Sequence, residues 1–250
     1  IIMGAEQWWT VDQRISQVAM FIADLAAFEK FKVEDPENWA RVENVAGFSC
    51  GEYAAAVAGG VMGFEDGLRV IKARAESMYK CVEAGAAGGL MSVVGLDEKK
   101  AESIAKDLAA KHGFCGISAY TFDQGLTIGG AISALTDFDT AAKKWGAQMV
   151  TFLGKEGAFG TAMMMPAVQG LSAALKEAQP AMQAPWCNVW MASTEKTVRA
   201  GEDPVGVIDG LTAAMVKPIR WQSTMQRMMD EGIQDFIEVG PQKVLRTMMR

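Results

Sequence analysis

The stretch Asn44–Gly60, NVAGFSCGEYAAAVAGG, decides the fold of this 250-residue chain. It begins with an apolar run typical of a short buried strand and continues into small side chains typical of a closely packed helix. Between the two, Ser49 stands between Gly47 and Gly51 in the Gly-x-Ser-x-Gly pattern of a nucleophile elbow. Strand, sharp turn and helix in this order indicate an α/β protein.

An elbow holds its serine on a strained turn with the Oγ atom exposed, and the flanking glycines let strand and helix approach closely. The helix that begins near Glu52 directs its unpaired N–H groups at the same point, which suits a developing oxyanion. The sequence therefore places Ser49 as a candidate nucleophile. Because serine is a weak nucleophile until a base removes its proton, the site also requires a base. The whole chain holds a single histidine, His112.

Composition restricts the functions that remain. Half of the residues are hydrophobic and 22% are charged, as in a soluble globular protein. The formal net charge of −6 argues against a nucleic-acid partner. No apolar run reaches the length of a membrane span, although attachment to a membrane complex stays open. The four cysteines form no Cys-x-x-Cys pair, so we expect a reducing compartment and neither a disulfide framework nor a metal site.

Periodicity divides the chain into a larger α/β unit and an insert. Apolar residues at helical spacing predict helices over 11–31 and 64–80, on either side of the elbow. Over 90–153 the pattern changes to strand, helix, two strands, helix and strand, which is a ferredoxin-like βαββαβ unit. The larger unit then resumes and closes with a predicted strand over 233–241, IQDFIEVGP, and a short helix. The start Ile1-Ile2-Met3 has no signal-peptide layout, so we take the chain as processed or incompletely observed.

A family resemblance follows from segments spread along almost the whole chain. The chain resembles malonyl-CoA:acyl carrier protein transacylases, whose elbow usually reads Gly-His-Ser-Leu-Gly-Glu-Tyr. Three long segments carry the resemblance: GFSCGEYAAAVAGGVMGFEDGLRVIKARAESM, GAFGTAMMMPAVQGL and KPIRWQSTMQRMMDEGIQDFIEVGPQKVL. ISQVAMFIADLAAFEKF is similar to the family's Ser-Gln-Pro-Ala helix, with Val18 in place of proline, and MSVVGLDEKKAESIAK and TIGG are similar to its insert. The resemblance implies a hydrolase-like three-layer large domain, residues 1–88 and 154–250, a ferredoxin-like small subdomain, residues 89–153, and a cleft between them.

The departures from the family pattern concern the residues that carry the chemistry. The family's catalytic histidine, in Gly-Ala-Phe-His, falls on Gly160, and the histidine before the serine falls on Phe48. An asparagine and a glutamine of the family's pocket fall on Ala192 and Ala214. The family's N-terminal strand and Gly-Gln-Gly loop, which helps to build the oxyanion hole, have no counterpart in these residues. Ser49 is therefore predicted to be a vestigial nucleophile without its base.

Arg74 corresponds to a functional residue of the family that this chain retains. It matches the arginine that pairs with the malonyl carboxylate, for which a planar guanidinium fork is well suited. The alternative is a surface or structural arginine occupied by Glu52 or Glu76. His112 does not replace the lost base, since it ends the first helix of the insert and is expected to act there as a helix C-terminal cation away from Ser49.

Gly47, Cys50 and Gly51 complete the predicted elbow and oxyanion site. Because Ser49 holds the apex of the turn, Cys50 is expected to face the core as a small hydrophobe, with a reactive thiol as the alternative. Trp8, Trp9 and Trp190 are candidates for an interface with a partner, with burial as the alternative.

Two functions from different classes remain. In the first, the protein keeps the transacylase fold of fatty acid biosynthesis, has lost efficient catalysis, and acts as a structural or binding subunit of a larger assembly, that is, a pseudoenzyme. In the second, it is an active malonyl transferase that forms a Ser49 acyl-enzyme with a base supplied from elsewhere. A binding module for a CoA thioester or an acyl carrier protein is a third possibility. No cofactor is expected, a CoA thioester is a candidate ligand, and acyl carrier protein or other subunits are candidate partners. Likeness to plastid-type members suggests a plastid or another organelle.

Overall fold

The computed structural model of the chain describes residues 12–85, 87–241 and 243–249. The first part of the large unit contains α1 (Gln13–Glu34), α2 (Pro36–Trp39), β1 (Asn44–Ala46), α3 (Gly51–Ala58) and α4 (Phe64–Glu83). The insert contains β2 (Gly89–Val94), α5 (Glu98–His112), β3 (Cys115–Phe122), β4 (Gly125–Gly130), α6 (Ile132–Lys144) and β5 (Met149–Gly154). The last part contains two 3₁₀ helices, Ala162–Ala167 and Gln179–Ala181, with α7 (Val168–Ala178), β6 (Asn188–Met191), β7 (Lys196–Val198), α8 (Val205–Val216), β8 (Ile219–Arg220), α9 (Trp221–Asp230) and α10 (Leu245–Met248).

The insert has the predicted βαββαβ order and its own core. Its sheet follows the order β5-β2-β4-β3-β8, with β2, β3, β4 and β5 paired antiparallel. α5 begins where the Asp97 carboxylate accepts the N–H of Lys100 at 3.1 Å, and it ends at Gly113, whose φ of 90° suits glycine. Apolar side chains of α5 and α6 pack on one face of the sheet around Ile128, Leu135 and Phe138.

The large unit is built around a small sheet of order β1-β6-β7. β1 runs parallel to β6, with Val45 opposite Val189, and α3 follows directly from the end of β1. The main core lies among α1, α3, α4, α7 and α8, where the buried stripe of α4 meets residues such as Phe21 and Tyr53. The helix predicted over 64–80 is thereby confirmed, because its apolar spacing of three and four residues matches one buried face.

Two features differ from the sequence prediction. The strand predicted over 233–241 is wrong: in this segment the structure has no strand, because no neighbouring strand lies beside it to complete a ladder. In addition, the insert sheet gains β8 from the last part of the chain, which pairs in parallel with β3 through Ala119 and Ile219. β8 lies outside the predicted limits of the insert, residues 89–153, and it connects the insert sheet to the large unit.

A third apolar cluster joins the two units beside the elbow. The cluster contains Ala119 of β3, Trp190 of β6, Ala192 directly after β6, and Trp221 at the start of α9. Phe48, the residue before Ser49, packs against this cluster. The turn that carries Ser49 is thus supported from both units. None of the helices within the described ranges is long and apolar enough to cross a membrane.

Candidate functional site

Ser49 occupies a strained turn between β1 and α3. Its φ of 58° lies in the left-handed region, which non-glycine residues seldom adopt. The Gly51 N–H donates to the Phe48 carbonyl at 3.0 Å, and the Glu52 N–H donates to the Ser49 carbonyl at 3.1 Å, so the turn closes tightly. Such strain persists where the surrounding structure enforces it, and it is typical of functional sites. The backbone has the form that the Gly-x-Ser-x-Gly pattern predicts.

The two elbow glycines have different roles. A Cβ atom on Gly47 would overlap the carbonyl of Gly51 and the amide of Glu52, so the approach of the turn to the start of α3 requires glycine at this position. A Cβ atom on Gly51 would meet nothing within 4 Å. Both residues line a cavity beside the elbow. The close approach of strand and helix therefore depends on Gly47, whereas Gly51 leaves open space in front of the turn.

Arg74 lies at the elbow and is almost completely buried, with 2% of its surface exposed. Its Nη2 donates to the Ser49 Oγ at 3.5 Å, its Nη1 donates to the Gln17 Oε1, and its Cζ lies 5.3 Å from the centre of the Tyr53 ring. Among the described residues no carboxylate lies within ion-pair distance of it. Neither Glu52 nor Glu76 occupies this guanidinium, which is consistent with a carboxylate-binding role.

Gln17 is a site residue that the sequence reasoning missed. It is buried on α1, accepts a hydrogen bond from Arg74, and lies 3.6 Å from the Met78 sulfur through its Nε2. The signal was present, since Gln17 is the glutamine of the segment similar to the family's Ser-Gln-Pro-Ala helix. An uncharged amide in this place orients the guanidinium without neutralising its charge.

Glu52 is buried within α3, and its carboxylate is hydrogen-bonded to Ser193 and not to Arg74. Its Oε1 accepts the Ser193 N–H at 3.0 Å and lies 3.2 Å from the Ser193 Oγ, which is itself 2.8 Å from the Gly210 carbonyl oxygen. Burial raises the pKa of Glu52 to about 7, against the opposing effects of the Ser193 hydrogen bonds and of Arg74. Glu52 therefore links α3 to the turn after β6 and to α8.

Phe48 and Ala192 share one apolar environment. The Phe48 ring meets the Trp221 ring edge to face, with the two centres 5.8 Å apart, and Ala192 is buried in the same cluster. The Ala192 carbonyl accepts the N–H of Arg220 at 3.0 Å. Both positions, which the sequence resemblance aligns with polar side chains of the family, are packed among apolar groups here, and neither side chain can accept a proton.

Gly160 lies in a loop fixed to the insert. Its φ of 69° is left-handed, and an added Cβ atom would lie 2.9 Å from the Ser118 Oγ and 3.2 Å from the Ser118 carbonyl oxygen. Ser118 donates to the neighbouring Phe159 carbonyl at 2.6 Å and so holds this loop on β3. Ala214 is buried on α8. A side chain at Gly160, where the sequence resemblance places the family's histidine, would therefore have a strained backbone and would require Ser118 to shift.

Cys50 is half-buried, packs against the main core and also lines the cavity beside the elbow. Burial raises the pKa of its thiol, an effect that Arg74 opposes, so at neutral pH the thiol is mostly protonated and weakly reactive. The Cys50 side chain therefore has only part of the inward orientation that the sequence predicts. Over the described residues its backbone N–H has no backbone partner, and it is the group that an elbow offers to an oxyanion.

The remaining candidates lie away from the elbow. His112 ends α5, where its Nε2 lies 2.9 Å from Asp137 Oδ2, within the insert as expected. Trp190 is fully buried, so its interpretation as an interface residue is wrong, while Trp8 and Trp9 lie outside the described residues. No group of three or more potential metal ligands occurs in the part of the chain that the structure covers.

Comparison with known proteins agrees with this architecture. The family model described as acyl transferase domain matches residues 4–250. The chain is 32% identical to the mitochondrial malonyl-CoA-acyl carrier protein transacylase of Homo sapiens, over 96% of this chain and 63% of the human protein. It therefore spans just under two thirds of the length of that relative.

Solved structures confirm the α/β fold. The acyl-carrier-protein S-malonyltransferase of Bartonella henselae superposes with a TM-score of 0.87 and 26% identity, over 99% of this chain and 77% of that one. A malonyl-transacylase solved in complex with a type II polyketide acyl carrier protein superposes with a TM-score of 0.84 at 21% identity, over 99% of this chain and 77% of that one, which shows the shared fold.

Proposed function

This chain belongs to the acyl transferase domain family, and we propose that it is a malonyl-CoA:acyl carrier protein transacylase-like protein that retains a carboxylate-binding site but has lost efficient catalysis. In this proposal it works as a binding or structural subunit, and its ligand is a thioester with a free carboxylate on the acyl group. Relatives named as malonyl transacylases support the choice of acyl group.

The observation that carries the proposal is the environment of Arg74. A buried guanidinium beside Ser49, held by an amide and without a carboxylate partner among the described residues, is costly unless an anion completes it. A carboxylate placed there would accept two parallel N–H bonds and bring its acyl group to the Ser49 turn. Neutral acyl groups would leave the guanidinium uncompensated, so the site favours a carboxyacyl thioester.

The loss of catalysis rests on the partners of Ser49 Oγ. Within the described residues its hydrogen-bond partner is Arg74, which carries donors only and cannot accept the serine proton. The position of the family's base is Gly160, in a loop where a Cβ atom would press on Ser118. Losing the base of such a unit costs on the order of four to six decades in rate.

Partners and location follow from the relatives. An acyl carrier protein is the proposed protein partner, since one structure with this fold was solved with such a protein bound. The human relative is mitochondrial, which supports an organelle location and a role connected with fatty acid biosynthesis. The plastid stays a prediction from sequence likeness.

Calorimetric titration tests the binding site. We expect malonyl-CoA to bind roughly tenfold to a hundredfold more tightly than acetyl-CoA, because the charged hydrogen bonds to Arg74 contribute about 1.5–3 kcal/mol. Arg74→Gln should remove this preference. Arg69→Gln, an exposed arginine on the same helix, is the matched control and should keep it. Equal affinities for the two thioesters in the unaltered protein would contradict the proposed site.

Intact-mass measurement tests the loss of catalysis separately. After mixing with malonyl-CoA, the chain should stay unmodified over minutes, and Ser49→Ala should behave in the same way. The strained φ of Ser49 and the unpaired Cys50 N–H favour the alternative, an active transferase with a base supplied from elsewhere. Rapid malonylation that Ser49→Ala abolishes would establish that alternative and reject the pseudoenzyme.

A further inference from the structure

A row of hydrogen-bonded side chains runs from the Arg74 guanidinium to the loop that follows β5. The Arg74 Nη1 donates to the Gln17 Oε1, and the Gln17 Nε2 donates to the Gln13 Oε1 at 3.3 Å. The Gln13 Nε2 then donates to the Glu156 Oε2. Arg74 and Gln17 are buried, whereas Gln13 and Glu156 are partly exposed. We call Gln17, Gln13 and Glu156 the amide relay.

The orientation of the Arg74 guanidinium depends on this relay. Within the described residues the Arg74 Nε has no hydrogen-bond partner, although it is buried. The distance of 3.5 Å from Nη2 to the Ser49 Oγ is long for a hydrogen bond. Gln17 therefore supplies the close hydrogen bond that fixes the fork. A fork held in one orientation binds a carboxylate more tightly, because less conformational freedom is lost on binding.

The charged groups at the two ends fix the direction of both amides. A guanidinium only donates hydrogen bonds, and an ionised carboxylate only accepts them. Each glutamine between Arg74 and Glu156 therefore turns its oxygen toward the arginine and its NH₂ group toward the glutamate. A donor at position 156 would require the reverse direction. Gln17 would then present its NH₂ group to the N–H groups of Arg74, and the close hydrogen bond would be lost.

We propose that Gln13 and Glu156 are positioning residues for the carboxylate site. They hold the Gln17 oxygen toward Arg74 and so strengthen the preference of the site for a carboxyacyl thioester. This inference rests on the proposed function, since it requires that Arg74 binds the acyl carboxylate. Gln13 begins α1 of the large unit, and Glu156 follows β5 of the insert. The two units therefore set the orientation of Arg74 together.

The charge of Glu156 acting through space would have the opposite effect. An anion near the site repels a carboxylate ligand, so a cation in its place would strengthen the binding of malonyl-CoA. The relay predicts that a cation at position 156 weakens this binding relative to acetyl-CoA, because a donor there reverses the amides. The sign of the effect of Glu156→Lys therefore separates the two explanations.

Calorimetric titration with malonyl-CoA and with acetyl-CoA measures this sign. Glu156→Lys should lower the preference for malonyl-CoA by about fivefold, the contribution of about one hydrogen bond. Glu156→Gln, the conservative variant, keeps an accepting oxygen and should retain most of the preference. Glu177→Lys, with the same charge change at an exposed residue of α7, is the matched control and should leave it unchanged.

The results for the unaltered chain show which proposal fails. Equal affinities for the two thioesters there reject the proposed function, and the relay with it. A clear preference there that Glu156→Lys leaves unchanged or increases rejects the relay alone. Equal losses in Glu156→Gln and Glu156→Lys also reject it, since the direction of the amides would then have no effect.

A double-mutant cycle separates positioning from a merely structural contact. Gln13→Leu interrupts the relay and should lower the preference by a similar factor, while the partly exposed position lets the protein fold. In the Gln13→Leu chain, Glu156→Lys should cause no further loss of preference, because the two residues act through one connection. Independent losses that multiply in the double variant would overturn the proposal. Changes in thermal unfolding with an unaltered preference would show a structural contact and would overturn it as well.

Discussion

At the scale of single residues, Gly47 and Gly51 each lie two positions from Ser49 in the sequence, but their surroundings in the folded protein differ. Gly47→Ala should lower the free energy of unfolding by about 1–3 kcal/mol or more, because its Cβ would overlap the backbone of α3. Gly51→Ala should leave it unchanged or raise it by up to about 1 kcal/mol, since its Cβ meets open space in a helix. Urea denaturation of both variants checks this. Equal losses would mean that both glycines are required by the turn.

Gly160 gives a second prediction at this scale. Gly160→His, alone or with Phe48→His, should lower stability by roughly 1–3 kcal/mol and should not produce rapid malonylation, because a side chain there is both left-handed and pressed against Ser118. Gly201→His is the matched control, since Gly201 has a φ of 81° but nothing within 4 Å of an added Cβ. Thermal unfolding should therefore show a larger loss for Gly160→His. A gain of malonylation with unchanged stability would refute the prediction.

At the scale of elements, Glu52 joins α3 to the turn after β6 and makes stability depend on pH. Its folded pKa of about 7 lies above the unfolded value of about 4.3, so the folded state holds more protons between these values. The free energy of unfolding should therefore fall as pH rises from about 4.3 to about 7, by on the order of 3 kcal/mol. The pKa of Asp24 is also raised to about 7, so Asp24 should contribute a further decrease in the free energy of unfolding as pH rises through this range.

Variants separate the contribution of Glu52. Urea denaturation across this pH range should give a flatter curve for Glu52→Gln than for the unaltered chain. Glu65→Gln, at an exposed residue in the first turn of α4, should leave the curve as it is. Parallel curves for Glu52→Gln and the unaltered chain would show that Glu52 does not titrate in this way.

At the scale of the whole molecule, the insert carries a complete core. Every buried residue of its apolar cluster lies between Met91 and Ala142, so the isolated segment 89–154 should fold without the large unit. Without β8, the fragment loses only the two-residue strand pairing between β8 and β3. We expect cooperative thermal unfolding and dispersed NMR signals from this fragment. A compact state without fixed side-chain packing would instead show that the insert depends on β8 and the third cluster.

The sequence by itself determined the local elements and the family. The helices α4 and α5 could be predicted because their apolar spacing and the Asp97 cap are local signals. The elbow could be predicted because the turn at Ser49 needs glycine at a fixed distance along the chain. The replacement of the base by Gly160 stays a prediction from the sequence, since it rests on the likeness of Gly-Ala-Phe-Gly to the family's Gly-Ala-Phe-His motif.

Only the tertiary structure decided which residues surround Ser49 and which strands find partners. Gln17 reaches Arg74 across 57 positions of sequence, and Ser118 fixes the Gly160 loop from another unit. The segment 233–241 has a strand-like sequence yet forms no strand, whereas the two residues of β8 do. A helix satisfies its own hydrogen bonds, but a strand and a buried guanidinium depend on groups from distant parts of the chain, which only the folded molecule brings into contact.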